Sequence, residues 1–200
     1  MYIPRHFAVT DPEALHRVIR EHSFATLITS GDGEPFATHV PLLLEGTELI
    51  GHMARANPHW KLFDGRTALA VFQGPHAYVS PSLYVSSPNV PTWNYVTVHV
   101  YGQPQLIEDP KTSADILNRT LAYYDPEFPV DGSVEGYIER LLPGIMAFRI
   151  PIDRMEGKFK LNQNKNAEDR EAVMERFSNS THPLELAVAA AMREHYGNAR

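Results

Sequence analysis

Between Phe24 and Arg55 the sequence runs through three extended stretches joined by connections too short to hold a helix. Residues 24–30 alternate apolar and β-branched types, Gly31-Asp32-Gly33 supplies a turn, and residues 35–44 return. Glu45-Gly46-Thr47 turns the chain again into a third stretch, Glu48 to Arg55. Such turns join antiparallel neighbours, because a parallel pair needs a crossover of about a dozen residues or more. The chain is thereby committed to an antiparallel meander.

The flanking segments extend that plan. Asp11-Pro12-Glu13 caps a first helix with Leu15, Val18 and Ile19 on one face. A short helix is expected from Asn57 to about Asp64, then a fourth strand at 67–72 that resumes at 77–79 beyond a Gly74-Pro75 break. Residues 80–91 read as a loop whose length suits a lid or a binding role. Residues 93–101 alternate, with Tyr95, Thr97, His99 and Tyr101 on one side and Asn94, Val96, Val98 and Val100 on the other. Gln103 to Glu108 extends that strand past Gly102. Asp109-Pro110 caps a helix to about Tyr124, and a second helix runs from about Ser133 to Leu142. A last strand is expected at 145–152, a turn at Met155-Glu156-Gly157, and closing helices at 168–177 and 183–196. Six or seven antiparallel strands with helices added make a mainly β, α+β chain. The expected form is a closed or nearly closed β-barrel in one domain, residues 1–200, with a helical insertion near 110–142 and C-terminal helices near 167–196. A doubly wound parallel sheet is disfavoured, since strands and helices do not alternate and no G-x-G-x-x-G occurs.

Composition narrows the functional classes. With 43% hydrophobic and 21% charged residues the chain reads as globular. No cysteine is present, which removes disulfides and thiolate chemistry. The N-terminal residues contain no apolar signal region and no run reaches membrane-spanning length, so a cytoplasmic protein is expected. The net charge is −6, and the densest basic cluster is only Lys158, Lys160 and Lys165. His39, His52, His59 and His99, four of the ten histidines, fall on strands or at their ends without a metal-ligand spacing, so no metal site is assigned. No G-x-S-x-G is present either, and a covalent nucleophile is not indicated.

Three stretches can carry chemistry. The first is the junction Gly51–Lys61, where a strand meets a helix start at Asn57-Pro58. Free N–H groups at such an end suit an anion, and Arg55 and Lys61 add positive charge, although an ordinary capped surface helix would look the same. The second is Pro91-Thr92-Trp93-Asn94-Tyr95, whose aromatics and hydrogen-bonding groups could flank a flat heteroaromatic ligand or simply anchor a strand. The third is residues 157–164, which put Lys158 and Lys160 on one side of an extended segment, as a phosphate contact or as a solvated charge run.

Seven motifs occur in order: Met1-Tyr2-Ile3-Pro4 with Phe7, Thr38-His39-Val40-Pro41, Gly51–Trp60, Phe72-Gln73-Gly74-Pro75, Tyr78-Val79-Ser80-Pro81, Val90–Tyr95 and Glu156–Asn164. Together, and with the closing Asp169-Arg170 helix, they resemble the PaiB family of FMN-binding negative transcriptional regulators across the whole chain. The resemblance implies an antiparallel split β-barrel of the FMN-binding type, related to pyridoxamine 5′-phosphate oxidase, with flavin at the interface of a homodimer. It implies phosphate held by the junction that carries His52, Arg55, Asn57, His59, Trp60 and Lys61. Thr38 and His39 would lie along the ribityl chain, and Trp93, Asn94 and Tyr95 near the ring. Lys158, Lys160 and Gln163 would close the site. Two departures stand out: Asn162-Gln163 where the family often has Ser-Gln, and Leu83 where an aromatic is common.

The resemblance implies a flavin-dependent regulator acting as a sensor or indirectly. The alternative on the same fold is an FMN-dependent oxidoreductase or flavin reductase, and a haem-binding relative would need an axial ligand. A homodimer is also expected because edge strands need covering and the faces at Phe24–Ile28 and Val96–Val100 offer more apolar surface than one core requires. Direct DNA binding is not expected, since no basic recognition helix follows a tight glycine turn. In gel shifts at physiological salt the purified protein should bind duplex DNA more weakly than about 10⁻⁸ M. A tighter complex with a steep salt dependence would contradict this.

Overall fold

The computed structural model describes residues 1–31, 33–128 and 132–197. Asp32, the middle of the first expected turn, lies outside the described residues. Nine strands and five α-helices occur among them: β1 (Ala8–Val9), α1 (Pro12–Glu21), β2 (Phe24–Ser30), β3 (Pro35–Glu45), β4 (Glu48–Ala54), β5 (Ala68–Val79), β6 (Thr92–Gly102), β7 (Gln105–Ile107), α2 (Pro110–Tyr124), α3 (Gly132–Leu141), β8 (Ile145–Pro151), β9 (Arg154–Lys160), α4 (Ala167–Ser178) and α5 (Pro183–Gly197). The chain divides into two compact units. The first comprises Met1–Leu15, Gln73–Val98 and Glu156–Arg200, and the second His16–Phe72 and His99–Met155.

In the second unit the strand order runs β5-β2-β3-β4-β8-β7, and every register resolved there is antiparallel. The expected meander is β2, β3 and β4, with Leu27 opposite Thr38 and Leu42 opposite Gly51. Leu27, Leu42, Leu49, Phe63, Phe148 and Ile150 are buried, and Phe63 meets Phe148 edge-on at 5.3 Å. Ile116 of α2 packs with Leu43, Ile50 and Ala147, so the helical insertion covers β4 and β8. Gly51 has no side chain because a Cβ there would lie 2.7 Å from Leu42 and 2.9 Å from Pro41 O.

In the first unit the order is β1-β9-β6-β5, with Ala8 opposite Lys158. β6 alternates as its sequence requires, and Asn94, Val96, Val98 and Val100 are all buried. That apolar face is therefore consumed within the chain rather than left over for a partner. α4 and α5 pack on each other through Val173, Phe177, Val188 and Met192, all buried.

Several expectations change. Among the described residues nine strands form rather than six or seven. The Gly74-Pro75 break is absent, since β5 is continuous. The disturbance survives as a phase change: buried positions are even up to Gly74 and odd from Ala77, as one extra residue in a strand produces. No turn forms at 155–157, because those residues pair as β9 and the chain turns earlier, where Ile152 N bonds Thr47 O and Asp153 N bonds Tyr101 O. The helix expected at 57–64 shrinks to one 3₁₀ turn, Pro58–Leu62. His59 within it and Phe63 at its end are both buried, and Phe63 N closes the turn on Trp60 O.

The 80–91 loop is not a free lid. Asp169 at the start of α4, only 1% exposed, accepts from Val85 N at 2.8 Å, Ser86 N at 2.9 Å and Ser86 Oγ at 2.6 Å. The bonds from the Ser86 side chain and backbone, then that from Val85 and the nearby Lys165 charge, hold its carboxyl below the usual range.

Gly102 offers a test of strand packing in the second unit. A Cβ there would sit 2.1 Å from Pro151 O and 2.8 Å from Ile150 Cγ2, and the nearer atom belongs to the backbone. Gly102→Ala should therefore destabilise by about 1–3 kcal/mol, lowering the melting temperature by several degrees. A variant that melts with the parent would show that the Pro151 backbone shifts freely.

Candidate functional site

In the second unit, Thr38, Asn57 and His59 form one connected group. Asn57, three residues past the end of β4, caps the 3₁₀ turn, its Oδ1 accepting from His59 N at 3.0 Å. Its Nδ2 donates to Thr38 Oγ1 at 3.1 Å, and Thr38 Oγ1 shares a 2.8 Å hydrogen bond with His59 Nδ1. His59 is fully buried, with ring centroids of Phe36 at 4.9 Å and Phe63 at 5.4 Å. Its Nε2 has no hydrogen-bond partner among the described residues. Burial holds its pKa below the ordinary histidine value, and the half-buried His52 on β4 is lowered for the same reason.

Arg55, Trp60 and Lys61 are arranged differently from the expected anion pocket. Arg55 Nε donates to Pro143 O at 2.8 Å, while Trp60 Nε1 donates to Arg55 O at 2.9 Å. Lys61 is exposed, 5.6 Å from the Trp60 ring. A single 3₁₀ turn sums almost no dipole, and the His59 N–H is spent on the cap. An anion held at this junction would therefore rest on the charges of Arg55 and Lys61 rather than on a helix end. His39 is exposed on β3, 3.1 Å from Thr26 Oγ1 and stacked on Phe24 at 6.3 Å. A cleft of about 580 Å³ opens in this unit beside Trp60, Lys61, Asp64, Gln103 and Leu106.

In the first unit the structure gathers Lys158, Lys160 and the aromatics around them. The register of β9 against β1 and the two-residue period put both lysines on one face. Lys158, 9% exposed, lies 5.4 Å from the Tyr2 ring and 5.3 Å from the Tyr95 ring, and donates to Tyr2 O at 3.1 Å. Lys160 donates to Trp93 O at 2.6 Å and to Thr92 Oγ1, and sits 5.8 Å from the Phe7 ring. Burial first, then the charges of Lys158 and Lys165, push the Lys160 pKa below the ordinary lysine value. Trp93 is half exposed, its ring 6.1 Å from both His76 and Tyr78.

Two expected residues turn away. Asn94 is fully buried, its Nδ2 directed at Met192 Sδ at 3.8 Å, because its strand parity puts it opposite Trp93 and Tyr95. It cannot bond a ring that lies over those aromatics. Gln163 bonds within its own turn, accepting from Leu161 N at 2.7 Å and donating to Phe159 O. Sequence reasoning passed over Tyr2 as a site residue, since no spacing rule links it to Lys158. Among the described residues no group of three His, Asp or Glu could hold a metal, and no helix is long and apolar enough to cross a membrane.

A domain-family profile described as "Putative FMN-binding domain" matches residues 1–154. The chain is 36% identical to the Bacillus subtilis (strain 168) protein "Protease synthase and sporulation protein PAI 2", over 97% of each chain, which bears out the resemblance read from the motifs. Among solved structures it is similar to the flavocytochrome Anf3 from Azotobacter vinelandii, with a TM-score of 0.65 and 17% identity over 85% of this chain and 78% of that one. It is also similar to the FAD and heme binding protein from Mycobacterium smegmatis, with a TM-score of 0.63 and 18% identity over 82% and 78%. At such identities the likeness establishes the fold alone: the antiparallel split barrel of flavoproteins.

The Thr38 group gives a stability test. Thr38→Val keeps the shape but leaves Asn57 Nδ2 and the buried His59 Nδ1 without their partner, which should cost about 1–3 kcal/mol. Since the His59 pKa is lowered on folding, its contribution is complete above about pH 6.5 and is lost as pH falls toward the folded value. Thermal unfolding from pH 8 to pH 5 should show both effects. An unchanged melting temperature in Thr38→Val would remove the group's structural role.

Proposed function

Because the chain belongs to the FMN-binding domain family, we propose that it is a PaiB-type flavoprotein that uses bound FMN to regulate gene expression indirectly. The observation that carries the flavin assignment is the lysine cluster. Lys158 is buried and Lys160 half-buried, and both are bonded only to carbonyl and hydroxyl oxygens, with no acidic side chain in ion-pair reach among the described residues. Cations held this way on aromatic faces fit a dianionic phosphate, and Trp93 and Tyr95 offer faces to a planar ring. FMN, when bound, supplies reversible redox chemistry. The chain's own part is to neutralise the phosphate through Lys158 and Lys160 and to orient the ring against Trp93 and Tyr95.

Regulation is indirect in this reading because the closing helices are not basic readers of a groove. α4 carries Glu168, Asp169, Glu171 and Glu175 against Arg170 and Arg176. A second reading, an FMN-dependent oxidoreductase, draws support from the cleft beside Trp60, which has room for a small substrate. Oxidation of a nicotinamide by the FMN-loaded protein would favour it.

We also infer a homodimer. Phe24 (67% exposed), Tyr78 (49%) and Trp93 (51%) present large apolar surfaces to solvent. In the dimer the Arg55–Lys61 segment of one copy and the Lys158–Gln163 segment of another complete a flavin site. Mixing Arg55→Ala subunits with Lys158→Ala, Lys160→Ala subunits should restore about one site per two subunits. A stable monomer with full FMN affinity would overturn the shared site.

Titration of the flavin-free protein should give FMN binding at least about tenfold tighter than riboflavin, from charge-assisted bonds to the phosphate. Lys160→Ala should weaken FMN and spare riboflavin. Equal affinity for the two flavins would refute the phosphate assignment, and a larger loss in Arg55→Ala would move the phosphate to the Gly51–Lys61 junction.

A further inference from the structure

Within the first unit the N-terminal residues lie along the face of β9 that carries the two lysines. β1 pairs antiparallel with β9, Ala8 opposite Lys158 and Val9 opposite Gly157. Extended pairing would carry Tyr2 beyond the end of β9. Instead a 3₁₀ turn at Arg5–Phe7, closed by Phe7 N on Pro4 O at 2.9 Å, reverses the chain. Three contacts then fall on alternate residues of β9, which share one side of the strand. The Met1 amino group is 2.6 Å from Glu156 Oε2, Tyr2 O accepts from Lys158 Nζ at 3.1 Å, and the Phe7 ring lies 5.8 Å from Lys160 Nζ. Phe7 is buried and anchors the turn, whereas Tyr2 is 83% exposed. A ring so exposed adds little to a core, yet both its face, 5.4 Å from the ammonium, and its carbonyl are directed at Lys158. An ammonium carries three donors on a flexible stem. Holding one donor on a carbonyl leaves others for an anion and reduces the ordering that a ligand must impose.

We propose that residues Met1–Phe7 form a strap across β9 and that Tyr2 is a positioning residue, which aims the Lys158 ammonium at the phosphate of a bound flavin. The proposal rests on the flavin reading above, and it gives Tyr2 no contact with the flavin itself.

Substitutions of an exposed residue test this without disturbing the fold. Tyr2→Phe keeps the ring, and Tyr2→Leu removes it while keeping an apolar side chain and the backbone carbonyl. In titrations of flavin-free protein, Tyr2→Leu should weaken FMN by about threefold or more, leave riboflavin unchanged and melt with the parent. Tyr2→Phe should bind FMN as the parent does. In a Lys158→Met background, which keeps most of the buried stem, Tyr2→Leu should have no further effect on FMN, because the two residues act as one unit. Unchanged FMN affinity in Tyr2→Leu overturns the proposal while leaving FMN binding intact. An equal loss for both flavins also overturns it, by making Tyr2 a direct contact of the ring. The same holds if the full Tyr2→Leu loss persists without Lys158. A parent that binds neither flavin is a separate result: it removes the flavin reading, and the role of Tyr2 falls with it.

Discussion

The first unit is organised around Lys158, a lysine nine-tenths buried without a carboxylate in contact. Taking an ammonium out of water is costly unless its donors are satisfied, and an isolated buried charge is seldom tolerated. Here the backbone oxygen of Tyr2 accepts from it and two tyrosine rings flank it, each face contributing about 0.5–2 kcal/mol by ring electrostatics. That arrangement requires β1 and β9 to pair closely. A Cβ on Gly157 would meet Leu15 Cδ2 at 2.2 Å and Val9 O at 3.0 Å, so glycine permits the approach. The N-terminal residues are tied to the same strand by the Met1 amino group, 2.6 Å from Glu156 Oε2.

Asp169 imposes the complementary constraint on the long loop. A carboxylate that accepts three hydrogen bonds from Val85 and Ser86 fixes the loop against the start of α4, and Asn89 carries the connection to Lys165. The loop is therefore a fixed part of the first unit rather than a cover that opens over the lysines. Buried charge-assisted bonds of this kind restrict motion more than a similar number of surface contacts.

The second unit handles its polar residues by a different rule. Thr38, Asn57 and His59 satisfy one another where β3 meets the 3₁₀ turn, and two phenylalanine rings exclude water from the imidazole. A neutral His59 suits that environment, and the lowered pKa expresses it. His59 Nε2, like Thr29 Oγ1 in the same unit, is buried with no hydrogen-bond partner among the described residues.

Much of the architecture was legible in the sequence. The meander came from short glycine turns between β-rich stretches, and the alternation in residues 93–101 put Val96, Val98 and Val100 on one face, which the fold buries. Helix caps at Asp11 and Asp109 mark their helices because a side-chain acceptor and a free N–H are neighbours in sequence. The lysine pair at 158 and 160 was visible for the same reason, since strand parity alone sets their common face. Longer-range facts were not legible. The continuity of β5 through Gly74-Pro75, the pairing of residues 155–157 and the burial of Asn94 against Met192 each depend on which strand or helix lies alongside. The helix start at Asn57 misled because capping residues signal where a helix can begin, not how far tertiary packing lets it run. Local hydrogen bonding and side-chain parity thus settled the elements of this protein. Only tertiary structure could decide which charges stand together, because Lys165, Asn89 and Asp169 meet through burial of residues far apart along the chain.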